Sequence, residues 1–261
     1  MKKTLFIFTL LLASCQTVEG TGRSQLNFMS MKSEMRMGLQ AYREALKNAE
    51  VDAESEDAKM VQRVGARVAD AARRLYPKMA EKFRWEFTLI QDDDMVNAWA
   101  LPGGKCAVYA GLLPITQNEE GLAVVLGHEV AHAIARHGGE RMSQSIALMG
   151  ALITTDVLWD ANDEDKKQNT MALLGIGGAV GTLAFSRSHE SEADELGLYL
   201  SATAGYDPRA SIGLWERMAE NSSGRPPEFL STHPSERTRI KRLKKLMPKA
   251  LAMYETNQEW Y

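Results

Sequence analysis

Between residues 57 and 76 the apolar side chains Met60, Val61, Val64, Val68, Ala72 and Leu75 recur at helical spacing and predict a helix with one core-facing side. A similar amphipathic stretch runs from about 31 to 50. The period then changes from 3.6 to 2. Over 84 to 91, Trp85, Phe87 and Leu89 alternate with Arg84, Glu86 and Thr88, the pattern of a strand with one buried face. Stretches at 95 to 101 and 105 to 110 flank Pro102-Gly103-Gly104 and predict a hairpin. From Glu119 onward the pattern is helical, with Asp207-Pro208 starting one helix and Pro234-Ser235 opening a last basic helix to about 249. Strands gather in the N-terminal half and helices follow, so the expected class is α+β: a small antiparallel sheet packed on helices. A single domain over 31–261 is expected.

Two segments stand apart. Apolar runs at 145–159 and 171–185 are separated by a charged stretch at 160–167 and together form an apolar helical hairpin over 144–185. Each run falls short of the ~20 residues that a spanning helix needs, and Gly175, Gly177, Gly178 and Gly181 interrupt the second. A buried or lid-like hairpin within the domain is expected, and contact with a membrane is left open. At the N-terminus, Lys2-Lys3 precedes an apolar run from Leu5 to Ala13, the layout of a secretory signal over 1–14. The run ends in Leu12-Ala13-Ser14-Cys15, which resembles a bacterial lipobox with Cys15 as the lipid attachment point; Gln16 after it resembles the outer-membrane sorting pattern. The polar stretch 15–30 is expected to be a flexible tether.

Composition adds exclusions. With 44% hydrophobic and 25% charged residues the chain has the balance of a folded domain, and a net charge of −3 argues against a nucleic-acid partner. Only two cysteines are present. Lipidation of Cys15 would leave Cys106 without an intramolecular partner, a small packed hydrophobe rather than a nucleophile.

The chemistry centres on His128-Glu129-Val130-Ala131-His132. Residues four apart share a helix face, so His128 and His132 can present two imidazole nitrogens to one metal ion. Glu129 lies beside them, placed to take a proton from an attacking water and return it to the leaving amine. The flanking Gly121–Gly127 and Val130–Ile134 are strongly apolar, and buried histidines and a glutamate need partners that a metal supplies. A catalytic zinc needs a third protein ligand. The pattern HExxHxxGxxH would demand Gly at 135 and His at 138; Ala135 and Gly138 exclude it, and His137 with Gly138-Gly139 reads as a helix C-terminus. A second zincin class draws a glutamate from a later helix, with an aspartate four residues on. Glu190 and Asp194 have that spacing, 58 residues after His132. Glu190 is then the ligand, and Asp194 accepts the free N–H of His128. Glu192 is the rival, but its i+4 position is Leu196. His189 reads as a solvated neighbour.

With these pieces the chain resembles the zinc metallopeptidase family of HtpX and the CAAX prenyl endopeptidases, in its soluble bacterial lipoprotein branch (LoiP- and BepA-like). The matching residues are Asn97-Ala98 with Pro102-Gly103-Gly104, Gly111-Leu112, His128 to His132, Ser186-Arg187 through Asp194, and Thr232-His233-Pro234 with Arg239-Ile240. The resemblance implies a mostly helical, gluzincin-type domain with one bound zinc. It places His233 near the metal, either as a displaceable fourth ligand or as an aid to the reaction intermediate, and Arg239 in the same cleft. It also implies that the strand with Asn97, Ala98 and Trp99 is an edge on which a substrate peptide adds as a further strand. The long transmembrane helices of HtpX and the CAAX enzymes are missing from the pattern, and TPR repeats are not expected.

The expected activity is a zinc endopeptidase in the bacterial envelope, lipid-anchored and facing the periplasm, that hydrolyses unfolded or misassembled envelope proteins. The alternatives are an assembly or chaperone-like factor for outer-membrane proteins with little turnover, and a purely structural zinc lipoprotein.

Overall fold

A computed structural model describes residues 15–153, 185–221, 227–233 and 238–257. The expected signal segment, residues 154–184 of the 144–185 hairpin, and Pro234-Ser235 lie outside the described residues.

The chain opens with a two-stranded hairpin, β1 (Cys15–Thr17) and β2 (Ser24–Leu26), where a flexible tether was expected. The correction has a physical reason. Val18 enters the core, Gln25 and Asn27 are buried, and the polar side chains that suggested a linker are bonded to charged groups of the domain. Helix α1 (Met31–Leu46) follows, capped by Ser30, and β3 (Val51–Asp52) leads into α2 (Glu56–Leu75). Ser55 accepts from the Ala58 amide at the start of α2, where Glu56 and Asp57 complement the helix dipole. Of the predicted stripe, Val61, Val64, Val68 and Ala72 are fully buried, while Met60 and Leu75 at its ends are half-buried.

After a short α3 (Pro77–Ala80) come β4 (Glu86–Ile90), β5 (Ala98–Leu101) and β6 (Lys105–Tyr109). The α+β class holds, but the sheet is mixed rather than wholly antiparallel. Its order is β3-β4-β6-β5, with β4 and β6 parallel from Glu86↔Lys105 to Ile90↔Tyr109. The β5–β6 hairpin forms as expected and docks on β4 through its second strand, which sets those two strands parallel and leaves β5 at the edge. Phe87 to Ile90 of β4 are all buried, as a strand covered on both faces must be.

A turn and α4 (Leu113–Thr116) lead into α5 (Glu119–Ile134), capped by Asn118, whose side chain accepts from the Gly121 amide. Every residue from Gly121 to Ile134 is buried, so α5 is a core helix rather than an amphipathic one. Then follow α6 (His137–Ile153), α7 (Arg187–Thr203), α8 (Ala210–Glu220), α9 (Glu228–Thr232) and α10 (Arg239–Asn257). Among the described residues no helix is long and apolar enough to cross a membrane.

Helices α5 and α7 cross backbone to backbone. A Cβ on Gly127 would lie 2.7 Å from the Gly197 carbonyl oxygen, and a Cβ on Gly197 would lie 2.7 Å from the His128 nitrogen. Only glycine at both positions permits this approach. The crossing sets His128 and His132 on one helix against Glu190 and Asp194 on the other.

Candidate metal centre

His128, His132, Glu190 and His233 each direct a ligand atom into one buried cluster, all four atoms within 4.8 Å of one another. The Nε2 atoms of His128 and His132 are 3.1 Å apart. Glu190 spans them, Oε2 at 3.4 Å from His128 Nε2 and Oε1 at 3.3 Å from His132 Nε2. A tetrahedral zinc with bonds of about 2.0–2.1 Å spaces its ligand atoms about 3.3–3.4 Å apart, so this donor set fits zinc in both type and spacing. Hydrogen bonding alone satisfies the cluster poorly. Two neutral imidazole nitrogens share at most one proton, and here three rings and a carboxylate converge. One cation would satisfy all the lone pairs together.

His233, at the C-terminus of α9, occupies the fourth corner. Its Nδ1 is 3.2 Å from His128 Nε2 and 3.0 Å from Glu190 Oε1, and its Nε2 is 3.3 Å from Glu129 Oε1. The ring stacks on Phe229 at 4.7 Å, and Phe185 covers the His132 ring at 4.0 Å.

Glu129 is buried, and that burial raises its carboxyl above the ordinary range despite His233 and His128 nearby. A base so raised holds a proton more readily near neutral pH. Its Oε1 has no hydrogen-bond partner among the described residues, and the Ala100 backbone of β5 reaches the carboxylate. The edge strand therefore runs beside the general-base candidate. Within that strand Ala98 is buried, its amide bonded by Asn97 Oδ1, while Trp99 packs edge-to-face on Tyr42 of α1. By strand alternation Trp99 lies on the sheet face away from α5, so the expected substrate strand presents mainly backbone toward the site.

Asp194 and Arg239 sit behind the cluster. Asp194 Oδ1 is 3.1 Å from His128 Nδ1, off the line of a straight hydrogen bond, and Arg239 bridges the acids with 2.7 Å to Asp194 and 2.5 Å to Glu190. The guanidinium is almost fully buried and lies 3.8 Å over the Trp215 ring. Burial draws the His128 imidazole down, but the Glu190 and Asp194 carboxylates more than reverse this and raise it to about 9. His132, its burial less well compensated, is held well below its ordinary value. Glu190 stays far below the carboxylate range, since His128 and the neighbouring donors outweigh its burial.

Two expectations change. His137 does not end a helix: α5 stops at Ile134, Arg136 turns through a left-handed backbone (φ 56°), and His137 opens α6. That turn is held by Arg136, which binds Glu34 through two bonds of 2.7 and 3.0 Å and the Met29 carbonyl at 2.8 Å. His137 is fully buried, bonded to His132, and burial lowers its pKa. His189 is not solvated; it is buried, stacked on His137 at 4.4 Å and bonded to Glu140. Glu192 lies outside the four-residue cluster and pairs with His137 and Arg23. Cys106 is a buried residue of β6 whose thiol burial pushes well up, which suits packing rather than nucleophilic attack.

Sequence reasoning missed Arg23, Thr21 and Glu140, which approach from distant segments with no local signature, and Phe185, whose apolar context reads as ordinary core.

The profile of Peptidase family M48 matches residues 55–247. The chain is 42% identical over 176 residues to the mitochondrial metalloendopeptidase OMA1 of Schizosaccharomyces pombe, covering 67% of this chain and 50% of that protein. It is 34% identical over 178 residues to the metalloendopeptidase OMA1 of Homo sapiens, covering 64% and 33%. Similarity to the beta-barrel assembly-enhancing protease of Escherichia coli is lower, 28%, but extends over 87% of this chain and 46% of that protein. The chain spans about half the length of the first of these relatives or less of the others.

Proposed function

The chain belongs to peptidase family M48, and on that premise we propose that it is a zinc-dependent endopeptidase acting on unfolded or misassembled proteins of the bacterial envelope. The observation that carries this reading is the convergence of His128, His132 and Glu190 at tetrahedral spacing, with Glu129 and an open-edged strand alongside.

His128, His132 and Glu190 would hold the metal. When bound, zinc supplies Lewis-acid polarisation of the scissile carbonyl and of water. The remaining work falls to the chain. An extended peptide pairs its backbone with the outer edge of β5, which requires an unfolded stretch of substrate and supports the reading that misfolded chains are the substrates. Glu129, raised by burial, removes a proton from the attacking water and delivers it to the leaving amine. Asp194 with Arg239 behind it keeps the Nδ1 proton on His128, so that Nε2 is free to bind. His233 touches both Glu129 and Glu190; as a further metal ligand it would have to be displaced by substrate, and as an aid it would steady the reacting carbonyl from the same place.

The envelope setting rests on the Lys2-Lys3 to Cys15 pattern and is supported by the extent of similarity to the Escherichia coli protease. Since Cys15 begins a hairpin bonded to the domain, a lipid there would hold the catalytic unit close to the membrane surface rather than on a long leash.

The test is Glu129→Gln in the full chain, assayed on unfolded casein with bound zinc quantified. Cleavage should fall by about 10²–10⁴-fold with one zinc retained. Equal cleavage by the two proteins would overturn the enzymatic reading, and absence of cleavage in a zinc-loaded wild type would favour the assembly factor.

A further inference from the structure

His128 has an arginine-anchored support, Arg239 to Asp194 to His128. His132 has one too, and its far end, Thr21 and Arg23, lies outside the residues that the family match reaches. His132 Nδ1 lies 2.9 Å from His137 Nδ1, and His137 Nε2 lies 2.9 Å from Glu192 Oε2. Arg23 Nε donates to that same Glu192 oxygen at 2.7 Å, and the Thr21 hydroxyl donates to the other. Arg23 is fixed from its far side by Glu140, whose two oxygens accept its remaining nitrogens at 2.7 and 3.0 Å. Glu140 also receives His189, stacked flat on His137 at 4.4 Å with 19° between the rings. His137 is fully buried and Glu192 and Glu140 nearly so, which leaves little room for any of these rings to turn.

The proton positions along this line follow from what each group can do. A carboxylate only accepts, so His137 donates its Nε2–H to Glu192. The Nδ1 of a neutral His137 is then an acceptor, and the 2.9 Å contact must carry the Nδ1 proton of His132. That choice leaves His132 Nε2 with a lone pair, facing Glu190 and His128. The tautomer that His132 needs is therefore set by Glu192, acting through His137.

We propose that Arg23, in the turn region of the N-terminal hairpin, is a positioning residue for the metal ligand His132, acting through Glu192 and His137. The hairpin, outside residues 55–247 of the family match, thereby completes the metal centre. A second anchor supports this role: Arg136, four residues after His132, binds Gln16 of β1, the Met29 carbonyl and Glu34 of α1. The segment is thus tied to the site at two independent points, to Glu192 and Glu140 of α7 and α6 through Arg23 and to the end of α5 through Arg136.

This inference rests on the zinc reading above, and the experiment separates the two. Zinc affinity is measured by competition against a chromogenic chelator for the full chain and for Arg23→Met, His137→Phe and His137→Gln. Ring ¹⁵N shifts of His132 report its tautomer in zinc-free protein. Arg23→Met and His137→Phe should each weaken zinc binding by about 10–100-fold, the usual loss when a partner behind a ligand is removed. Both should also give mixed His132 tautomers. His137→Gln, whose amide accepts at one end and donates at the other, should keep most of the wild-type affinity. Wild-type affinity in Arg23→Met and His137→Phe, whatever their melting temperatures, would show that these residues only hold the hairpin down and would overturn the proposal. So would a His137→Gln protein as weak as His137→Phe. Should His137→Phe not fold, Arg23→Met decides, since its side chain lies at the partly exposed rim. A wild type that takes no zinc would overturn the metal reading first and this inference with it.

Discussion

Gly197→Ala pits two physical effects of opposite sign against each other. Inside a helix, replacing glycine by alanine stabilises by about 1 kcal/mol through propensity alone. At the α5–α7 crossing, however, the new Cβ would lie 2.7 Å from the His128 nitrogen and 2.9 Å from the Gly127 carbonyl carbon and the His128 Cα. All three obstacles are backbone, so no side chain can rotate away. Restoring an ordinary contact of 3.4 Å means parting the helices by about 0.7 Å there. Overpacking of this kind costs about 1–3 kcal/mol, so a net destabilisation of up to about 2 kcal/mol is expected after the propensity gain. The displacement also acts at His128 itself, one residue past the crossing. Donor spacings of 3.3–3.4 Å to Glu190 would stretch beyond the roughly 0.2 Å tolerance of a metal site. Urea unfolding of the zinc-free chain and chelator competition measure the two consequences separately. Gly138→Ala is the control: its Cβ meets nothing within 4 Å, so that variant should be neutral or slightly more stable. A Gly197→Ala protein that is more stable than wild type and binds zinc equally would refute the crossing as the device that sets the site.

Arg239→Met removes the cation between two buried carboxylates and should destabilise by about 3–5 kcal/mol, read as a shift in the urea midpoint with unchanged slope; a change under 1 kcal/mol would mean the acids find other partners. His233→Ala opens the fourth corner and should raise the rate of casein cleavage; a lower kcat with unchanged KM would instead assign the ring to stabilising the transition state. Acid should destabilise the chain in two stages. Burial lowers His189 from 6.5 to about 4, so it unfolds into a state that binds protons more readily, and its contribution, full above pH 6.5, is lost as the pH falls toward 4. Glu192, whose burial is outweighed by His137, Thr21 and Arg23, drops from 4.5 to about 2, and its contribution, present above pH 4.5, goes as the pH falls through 2. Melting temperatures of the zinc-free protein between pH 7 and 3 should decline accordingly, and a flat profile would contradict both assignments. Zinc uptake near pH 7.5 should release about one proton, because the metal displaces the one held on His128 at about 9; titration calorimetry in buffers of different ionisation enthalpy counts it.

Much of this protein is written locally. The i,i+4 pairs His128/His132 and Glu190/Asp194 could be placed on helix faces without a structure, because the 3.6-residue turn alone determines which side chains are neighbours. The stripe of α2 and the β5–β6 hairpin follow from period and turn chemistry in the same way. What the sequence could not decide is whatever depends on elements meeting from far apart. The parallel pairing of β4 with β6 is a choice of docking edge, to which alternation is blind. His189 reads as polar and therefore solvated until α6 brings Glu140 and His137 against it. Residues 15–30 read as a linker because polar composition is scored without partners; folded, Arg23 and Gln16 have those partners in Glu192, Glu140 and Arg136. Local spacing thus determined which residues could bind a metal. The tertiary structure, through the glycine crossing of α5 and α7 and two arginine-anchored lines, decided how those residues are brought together and held, since orientation of a ring depends on what lies behind it.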